Sequence, residues 1–364
     1  MRVKSTLLSV IPALLAACGG SPDTQAPSAE PAALTDADVS RAERLEGLLS
    51  TLAADSMEGR RTGTEGIARA ARFLADELRR YGVEAAGDDG FYQTVPMARM
   101  QVEGQNGVRE RLAIASESLD FDTLPPESII HTEFNVVGVI RGSDPEIAGE
   151  AVVIGAHYDH VGIGQAVDGD SIYNGADDDG SGTVAILEIA RAFAQGPPPR
   201  RTIVVLLSTG EEMGLLGTNY YIDNPVIPME QTVADLQIEM IGRPDSLAGG
   251  FGRGWLTGYE RTTMGDQLAG AGSPIVPDPR PDQGFFFRSD NIAFANIGIP
   301  AHTLSSFNLH TDYHRPSDEV DLIDFGHMAA IVDAAVDAVR FLADGPRPAW
   351  VEGGREGLRG NDRP

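Results

Sequence analysis

The sequence predicts an α/β fold, a three-layer sandwich with a mostly parallel, mixed central sheet covered by helices on both faces. Three observations carry this. Short runs rich in β-branched residues alternate with segments of helical period: Phe134 to Ile140, Ala151 to Ala156, Thr202 to Leu207, Val233 to Met240 and Gly298 to Leu304. Those runs are close to continuously apolar, the pattern of strands covered on both sides. Polar, chemistry-bearing clusters stand where the runs end, and open parallel sheets carry their sites there.

The elements follow in order. Arg2 and Lys4 form a short basic region before the apolar stretch Leu7 to Ala17, which is too short for a mature membrane span. It ends in Leu15-Ala16-Ala17-Cys18-Gly19, which resembles the bacterial lipoprotein signal, where cleavage leaves a lipidated cysteine as the first residue. A plain secretory signal is the competing reading. The resemblance implies residues 1–17 as signal, Cys18 as the lipidation site, and attachment to the membrane through an N-terminal lipid. The protein is then expected in the cell envelope, at the outer membrane facing periplasm or exterior. Residues 18–33, rich in Gly, Ser, Pro and Ala, read as a flexible tether. Cys18 is the only cysteine, so the mature chain has no internal disulfide, cysteine nucleophile or thiolate metal site.

A domain is expected over residues 34–345. Leu45, Leu48, Leu49 and Leu52 share one face of a first helix. Ile67, Ala70, Ala71, Leu74 and Leu78 make a stronger second helix over Gly66 to Tyr81, ended by Gly82. The glycine-bearing polar stretch between them reads as a loop. Phe91 to Met100 and Arg111 to Ser116 read as strands around a polar turn. Gly142-Ser143-Asp144-Pro145 separates two of the buried strands, and Val184 to Ala194 is an apolar helix. Gly326 to Leu342 is an amphipathic C-terminal helix, and residues 346–364 read as a disordered tail. The 42% hydrophobic content suits a globular chain, and the net charge of −26 argues against a nucleic-acid partner.

The chemistry concentrates in Glu211-Glu212, which follow the run Thr202 to Leu207. Adjacent side chains leaving a strand point different ways, so one carboxylate can bind a metal while the other faces a water on it. His157 and Asp159 end another run, Asp178 sits in Ala176-Asp177-Asp178-Asp179-Gly180-Ser181-Gly182, and Glu239 and His314 follow. Two divalent ions sharing a water need about five or six such donors, and carboxylates with imidazoles suit zinc. His157, Asp178, Glu212, Glu239 and His314 are the candidate ligands. Glu211 is the carboxylate left for proton transfer. Asp159 is the natural partner for the other ring nitrogen of His157. No Gly-x-Ser-x-Gly elbow is present, which disfavours a serine hydrolase. His160 and His302 read as core or loop histidines, and Arg243 as a salt-bridge residue.

These motifs, together with Glu239-Met240-Ile241-Gly242 and Tyr313-His314-Arg315-Pro316-Ser317-Asp318, resemble the co-catalytic di-zinc aminopeptidase family over roughly Val136 to Ala343. Glutamate carboxypeptidases and glutaminyl cyclases are its relatives. The resemblance implies two Zn2+ ions, with His157 on one, Asp178 bridging, and Glu212 and His314 on the other. It makes Glu239, where an aspartate is usual, the residue completing the first ion, and Glu211 the general base. It implies peptide substrates hydrolysed at the N-terminus, with a single-zinc cyclase or a carboxypeptidase as alternatives. Phe286 falls where some members carry a tyrosine that donates to the reaction intermediate; His310 or Tyr313 would have to replace it. The Phe285-Phe286-Phe287 run is either a specificity pocket or core.

Overall fold

The structure is a computed structural model describing residues 36–104, 107–116 and 119–359. The expected signal, Cys18 and the tether lie outside the described residues. So do residues 360–364.

Nine strands build the main sheet: β1 (Glu84–Ala85), β2 (Tyr92–Thr94), β3 (Phe134–Ile140), β4 (Ala151–His157), β5 (Thr202–Ser208), β6 (Thr232–Ile238), β7 (Trp255–Leu256), β8 (Val276–Pro277) and β9 (Ala301–Ser305). Their order is β1-β3-β5-β4-β6-β9-β7-β8, with β2 also paired to β3. The four central strands β5, β4, β6 and β9 are mutually parallel, and the flanking pairs to β3 and β7 are antiparallel. Every residue of β4, β5 and β6 is buried, which is why β4 and β5 read as near-continuous apolar runs, while β6 also buries Asp235 and Gln237.

Successive side chains leave these strands on opposite faces. Val152, Ile154, Ile203 and Val205 pack under helices α1 (Asp36–Leu52), α2 (Glu65–Tyr81) and α3 (Gly182–Ala194). The short helix α5 (Met264–Gly270) gives Met264 and Leu268 to the same cluster, while Val153, Val204 and Leu206 pack on the other side against α4 (Leu216–Asp223) and α6 (Asn291–Asn296). The last helix, α7 (Phe325–Asp344), joins the first layer. The sandwich of helix, sheet and helix is the one the sequence predicts. Gly82 caps α2 in the left-handed region at φ 85°, and Asp324 caps α7 by accepting from the His327 backbone N–H at 2.9 Å. Among the described residues no helix is long and apolar enough to cross a membrane.

Two expectations need correction. The run Phe91 to Met100 is two strands in different sheets. β2 joins the main sheet, while Met97–Gly104 forms a hairpin with Gly107–Ile114. Pro96, which lacks an N–H, separates them. The stretch after Gly345 is also held, as far as Arg359, and is no disordered tail there. Trp350 pairs with Thr262 in a β-bridge and donates its indole N–H to Gly298 O at 2.7 Å, and Leu358 packs on the second core cluster. The polar, glycine-rich composition hid these two anchors.

Candidate metal centre

The central strands are in register so that Ser208 of β5 lies opposite His157 of β4. The chains leaving both strands therefore meet at the carboxyl edge of the sheet. His157 ends β4, Glu211 and Glu212 follow β5, and Glu239 follows β6, its backbone N–H donating to Leu304 O at 3.1 Å. Asp178 comes from the turn Ala176–Ser181 that leads into α3, and His314 from the loop after β9.

Two groups of donors result, and they share Asp178. His157, Asp178 and Glu239 form one; Asp178, Glu212, His314 and also His160 form the other. His157 Nε2 stands 3.5 Å from Asp178 Oδ1. His314 Nε2 stands 3.0 Å from both Asp178 Oδ2 and Glu212 Oε1. The residues fit divalent ions on a test internal to the chain. His157 Nε2, both nitrogens of His160, Asp178 Oδ2 and Glu212 Oε1 are buried polar atoms without a properly oriented hydrogen-bond partner. Such atoms are costly unless something else satisfies them, and here they converge on two points. The donor set, imidazole nitrogen with carboxylate oxygen, is one that suits zinc.

Electrostatics agree. Burial pushes the Glu211 carboxyl well above the usual range; His157 opposes this, and Glu239, Asp290 and Glu212 add to it. Glu239 is raised to about 7, again first by burial, with the Asp178 charge contributing. For Glu212 burial acts upward, but the His160 and His314 imidazoles beside it hold the group well below the carboxylate range. So many carboxylates in so small a volume repel one another, and divalent cations would relieve that repulsion.

A hydrogen-bond frame holds the loops. Asp159 accepts the backbone N–H of Glu211 at 3.0 Å and of Glu212 at 3.4 Å, and the Thr62 hydroxyl at 3.1 Å. Its expected role beside His157 falls to its own backbone: His157 Nδ1 bonds Asp159 O at 3.1 Å, with the carboxylate 3.7 Å away. Asp177 Oδ1 accepts the Gly242 N–H, and Asp179 Oδ1 the Met240 N–H. Asp290 accepts from the Ser208 hydroxyl at 2.5 Å. Arg243 is paired with Asp312 and Asp318.

Three further residues belong to this frame and were not singled out from sequence. Asp318 accepts the N–H groups of Asp177 and Asp178, orienting the turn that carries Asp178. Arg60, fully buried, donates to the carbonyls of Leu52, Tyr158, Asn174 and Gly175, tying the end of β4 to the same turn. Glu133 accepts the Gly63 N–H at 2.9 Å, and burial raises its carboxyl to about 7. The Asp318 ending of the Tyr-His-Arg-Pro-Ser-Asp motif was the one signal that pointed to any of them.

Beside Glu239 opens a small cleft of about 40 Å3, walled by Trp255, Phe285, Phe307, Arg288 and Tyr313. Tyr313 stacks on the His314 ring at 4.0 Å, and burial raises its hydroxyl pKa. The other two expected substrate residues lie elsewhere. Phe286 is buried in the second core cluster, against His302 and under Arg261. The tight turn Phe285–Phe287 sends its first ring to the cleft and its second to the core. His310 Nε2 faces Asp177 Oδ2 at 3.0 Å and supports the turn rather than the cleft.

A shared carboxylate and two donor groups at the carboxyl ends of parallel strands make a candidate metal centre. The profile of Peptidase family M28 matches residues 135–339, and the chain belongs to that family. It is similar to leupeptin-inactivating enzyme 1 of Streptomyces exfoliatus, 30% identical over 182 residues, covering 48% of this chain and 36% of that protein. It is also similar to a probable leucine aminopeptidase 2 of Aspergillus fumigatus, 31% identical over 176 residues, covering 47% of this chain and 32% of the other. The chain thus spans about a third of the length of these relatives. In fold it is similar to a zinc aminopeptidase from Bacillus subtilis, with TM-score 0.60, 15% identity, and 84% and 96% of the two chains covered. The fold is shared as well with the Porphyromonas gingivalis glutaminyl cyclase, at TM-score 0.54, 16% identity, and 82% and 97% coverage.

Proposed function

We propose that this protein is a zinc-dependent exopeptidase that removes N-terminal residues from peptides at a two-metal centre. The observation that carries the reading is the sharing of Asp178 between two donor groups beside Glu211, a carboxylate in neither group. His157, Asp178 and Glu239 would hold one zinc, and Asp178, Glu212 and His314 the other. Bound zinc supplies Lewis acidity, polarising the scissile carbonyl and making a water acidic enough to attack at neutral pH.

The chain's own residues do the rest. Glu211 is positioned by Asp159 through its backbone N–H. Its burial-raised proton affinity suits a group that takes a proton from the attacking water and returns it to the leaving amine. The aromatic cleft beside Glu239 suits one apolar side chain next to the scissile bond. Tyr313, on the cleft wall, is better placed than His310 to donate to the developing oxyanion.

Glu239 in place of the family's usual aspartate favours a second reading, a single-zinc glutaminyl cyclase. A panel of aminoacyl fluorogenic amides, with and without chelator, decides. Release of the fluorophore that chelation stops supports the exopeptidase; inert amides with cyclisation of an N-terminal glutamine overturn it.

The same proposal places the chain on a membrane through lipidated Cys18, with the peptidase domain in the cell envelope. The motive is Leu15-Ala16-Ala17-Cys18 after a short basic and apolar stretch. Two or three acyl chains give stable anchoring where one does not. Wild type should sediment with membranes and Cys18→Ser should be released or left unprocessed. A soluble wild type whose mature N-terminus is not Cys18 sinks this part alone.

A further inference from the structure

We infer that His160 is a fourth protein ligand on the Glu212–His314 side, so that the two zinc positions are unequal, one enclosed by four donors and one left open by three. The inference rests on the metallopeptidase reading above and deepens it. His160 Nδ1 stands 3.1 Å from Glu212 Oε1 and 3.7 Å from Asp178 Oδ2, the same two oxygens that His314 Nε2 meets at 3.0 Å. Zinc with bonds of about 2.0–2.1 Å puts tetrahedral neighbours roughly 3.3–3.4 Å apart. The measured edges bracket that value.

Two of the other buried histidines serve as internal controls. His302 bonds through both ring nitrogens, to Thr257 O and the Thr262 hydroxyl. His327 does the same, with the Gly252 N–H and the Ser306 hydroxyl. Both are imidazoles used for structure, and both are satisfied. His160 is equally buried, yet its Nε2 has no partner and its Nδ1 faces only the Glu212 and Asp178 carboxylates, in no properly oriented hydrogen bond. Leaving a buried polar group unpaired costs about 1–3 kcal/mol, so a purely structural role would be a poor use of the residue. Its placement is also built. The His160 backbone N–H donates to Arg60 O at 3.2 Å, and the ring lies against Gly175, where a Cβ would come within 2.5 Å of an imidazole carbon. Gly175 itself is in the left-handed region at φ 56°.

The consequence is a division of labour. Four protein donors close a zinc site, whereas three leave a position for water or substrate. The open side is that of His157, Asp178 and Glu239, and Glu239 also lines the cleft. The enclosed ion should stay bound under conditions that strip the open one.

The experiment loads the full-length protein with zinc and dialyses it against a chelator of moderate strength. One zinc per chain should remain. X-ray absorption on that one-zinc form should read two imidazoles on the zinc, from His160 and His314. His160→Ala and His160→Gln should hold the retained ion at least about 10–100-fold more weakly, with the circular dichroism of the folded chain. One imidazole on the retained zinc overturns the inference and leaves the two-metal reading standing. So do folded variants that keep zinc as wild type does. If the variants fail to fold, the spectrum of the wild type decides alone. A chain that takes up no zinc at all overturns both this inference and the proposed function.

Discussion

His157 and Glu239 stand at the ends of the neighbouring parallel strands β4 and β6, whereas Glu212, His314 and His160 come from loops. The strand-end His157 side chain is only 2% exposed, but the loop-borne His314 is 37% exposed. His314 also sits at φ 55°, a backbone region a non-glycine residue holds only when its surroundings insist. Sheet register fixes the first pair directly. The loop half depends on a frame of buried polar groups, chiefly Asp159, Asp318 and Arg60, which bind backbone N–H and C=O groups rather than metal donors. One half of the centre is therefore as rigid as the core, and the other is as good as its hydrogen bonds.

The largest effect expected is at the boundary between the halves. Glu211→Gln should cut turnover by about 10²–10⁴-fold, since the near-isosteric amide cannot take the water's proton. Its zinc content should stay at the wild-type level by elemental analysis. Glu212→Gln, one residue on, should lose zinc instead. Equal behaviour of the two variants would break the assignment of base and ligand.

Next come residues of the frame. Asp318→Asn keeps the shape but weakens the acceptor that orients Asp177 and Asp178, and it leaves Arg243 with one carboxylate. Zinc affinity in competition titration should fall about 10–100-fold. Arg60→Met should cost about 3–5 kcal/mol in denaturant unfolding, because it strands buried carbonyls of β4 and the Asp178 turn. An unchanged midpoint in Arg60→Met would show that the turn does not need this clamp.

The smallest effect is on pH dependence. The Glu133 carboxyl titrates near 7 in the fold against 4.5 ordinarily, raised by burial. The folded chain therefore binds the extra proton, so this group's contribution falls as pH rises from about 4.5 to 7. The loss is up to about 3 kcal/mol at roughly 1.4 kcal/mol per unit. Glu133→Gln should gain stability over wild type at pH 8 and almost none at pH 4. An equal gain at both pH values would contradict the burial of a charge there.

The same comparison explains what was legible in the sequence. β4 and β5 announced themselves because burial on both faces leaves polar residues only at their ends, and the ligands there came with them; β6 was legible despite its buried Asp235 and Gln237. The residues missed act at long range in sequence. Arg60 binds carbonyls 98 to 115 positions away, and no local pattern marks a buried arginine. His160 was read as core or loop because only the meeting of three loops brings it to Glu212. The hairpin Gly162–Val167 with Asp170–Tyr173 was overlooked although Asp168-Gly169, both at positive φ, is a strong hairpin signal. Phe286 was misplaced because a triple phenylalanine does not say which ring turns inward.

The central claim is that two zinc ions held by these residues hydrolyse N-terminal peptide bonds. Stepwise return of zinc to the chelated protein, with release of the free N-terminal residue from a short peptide followed at each step, tests it most directly. The account predicts that release returns with zinc and reaches its full rate at two ions per chain. Full occupancy without release, or full activity at a single ion with a cyclised N-terminal glutamine as product, would contradict it.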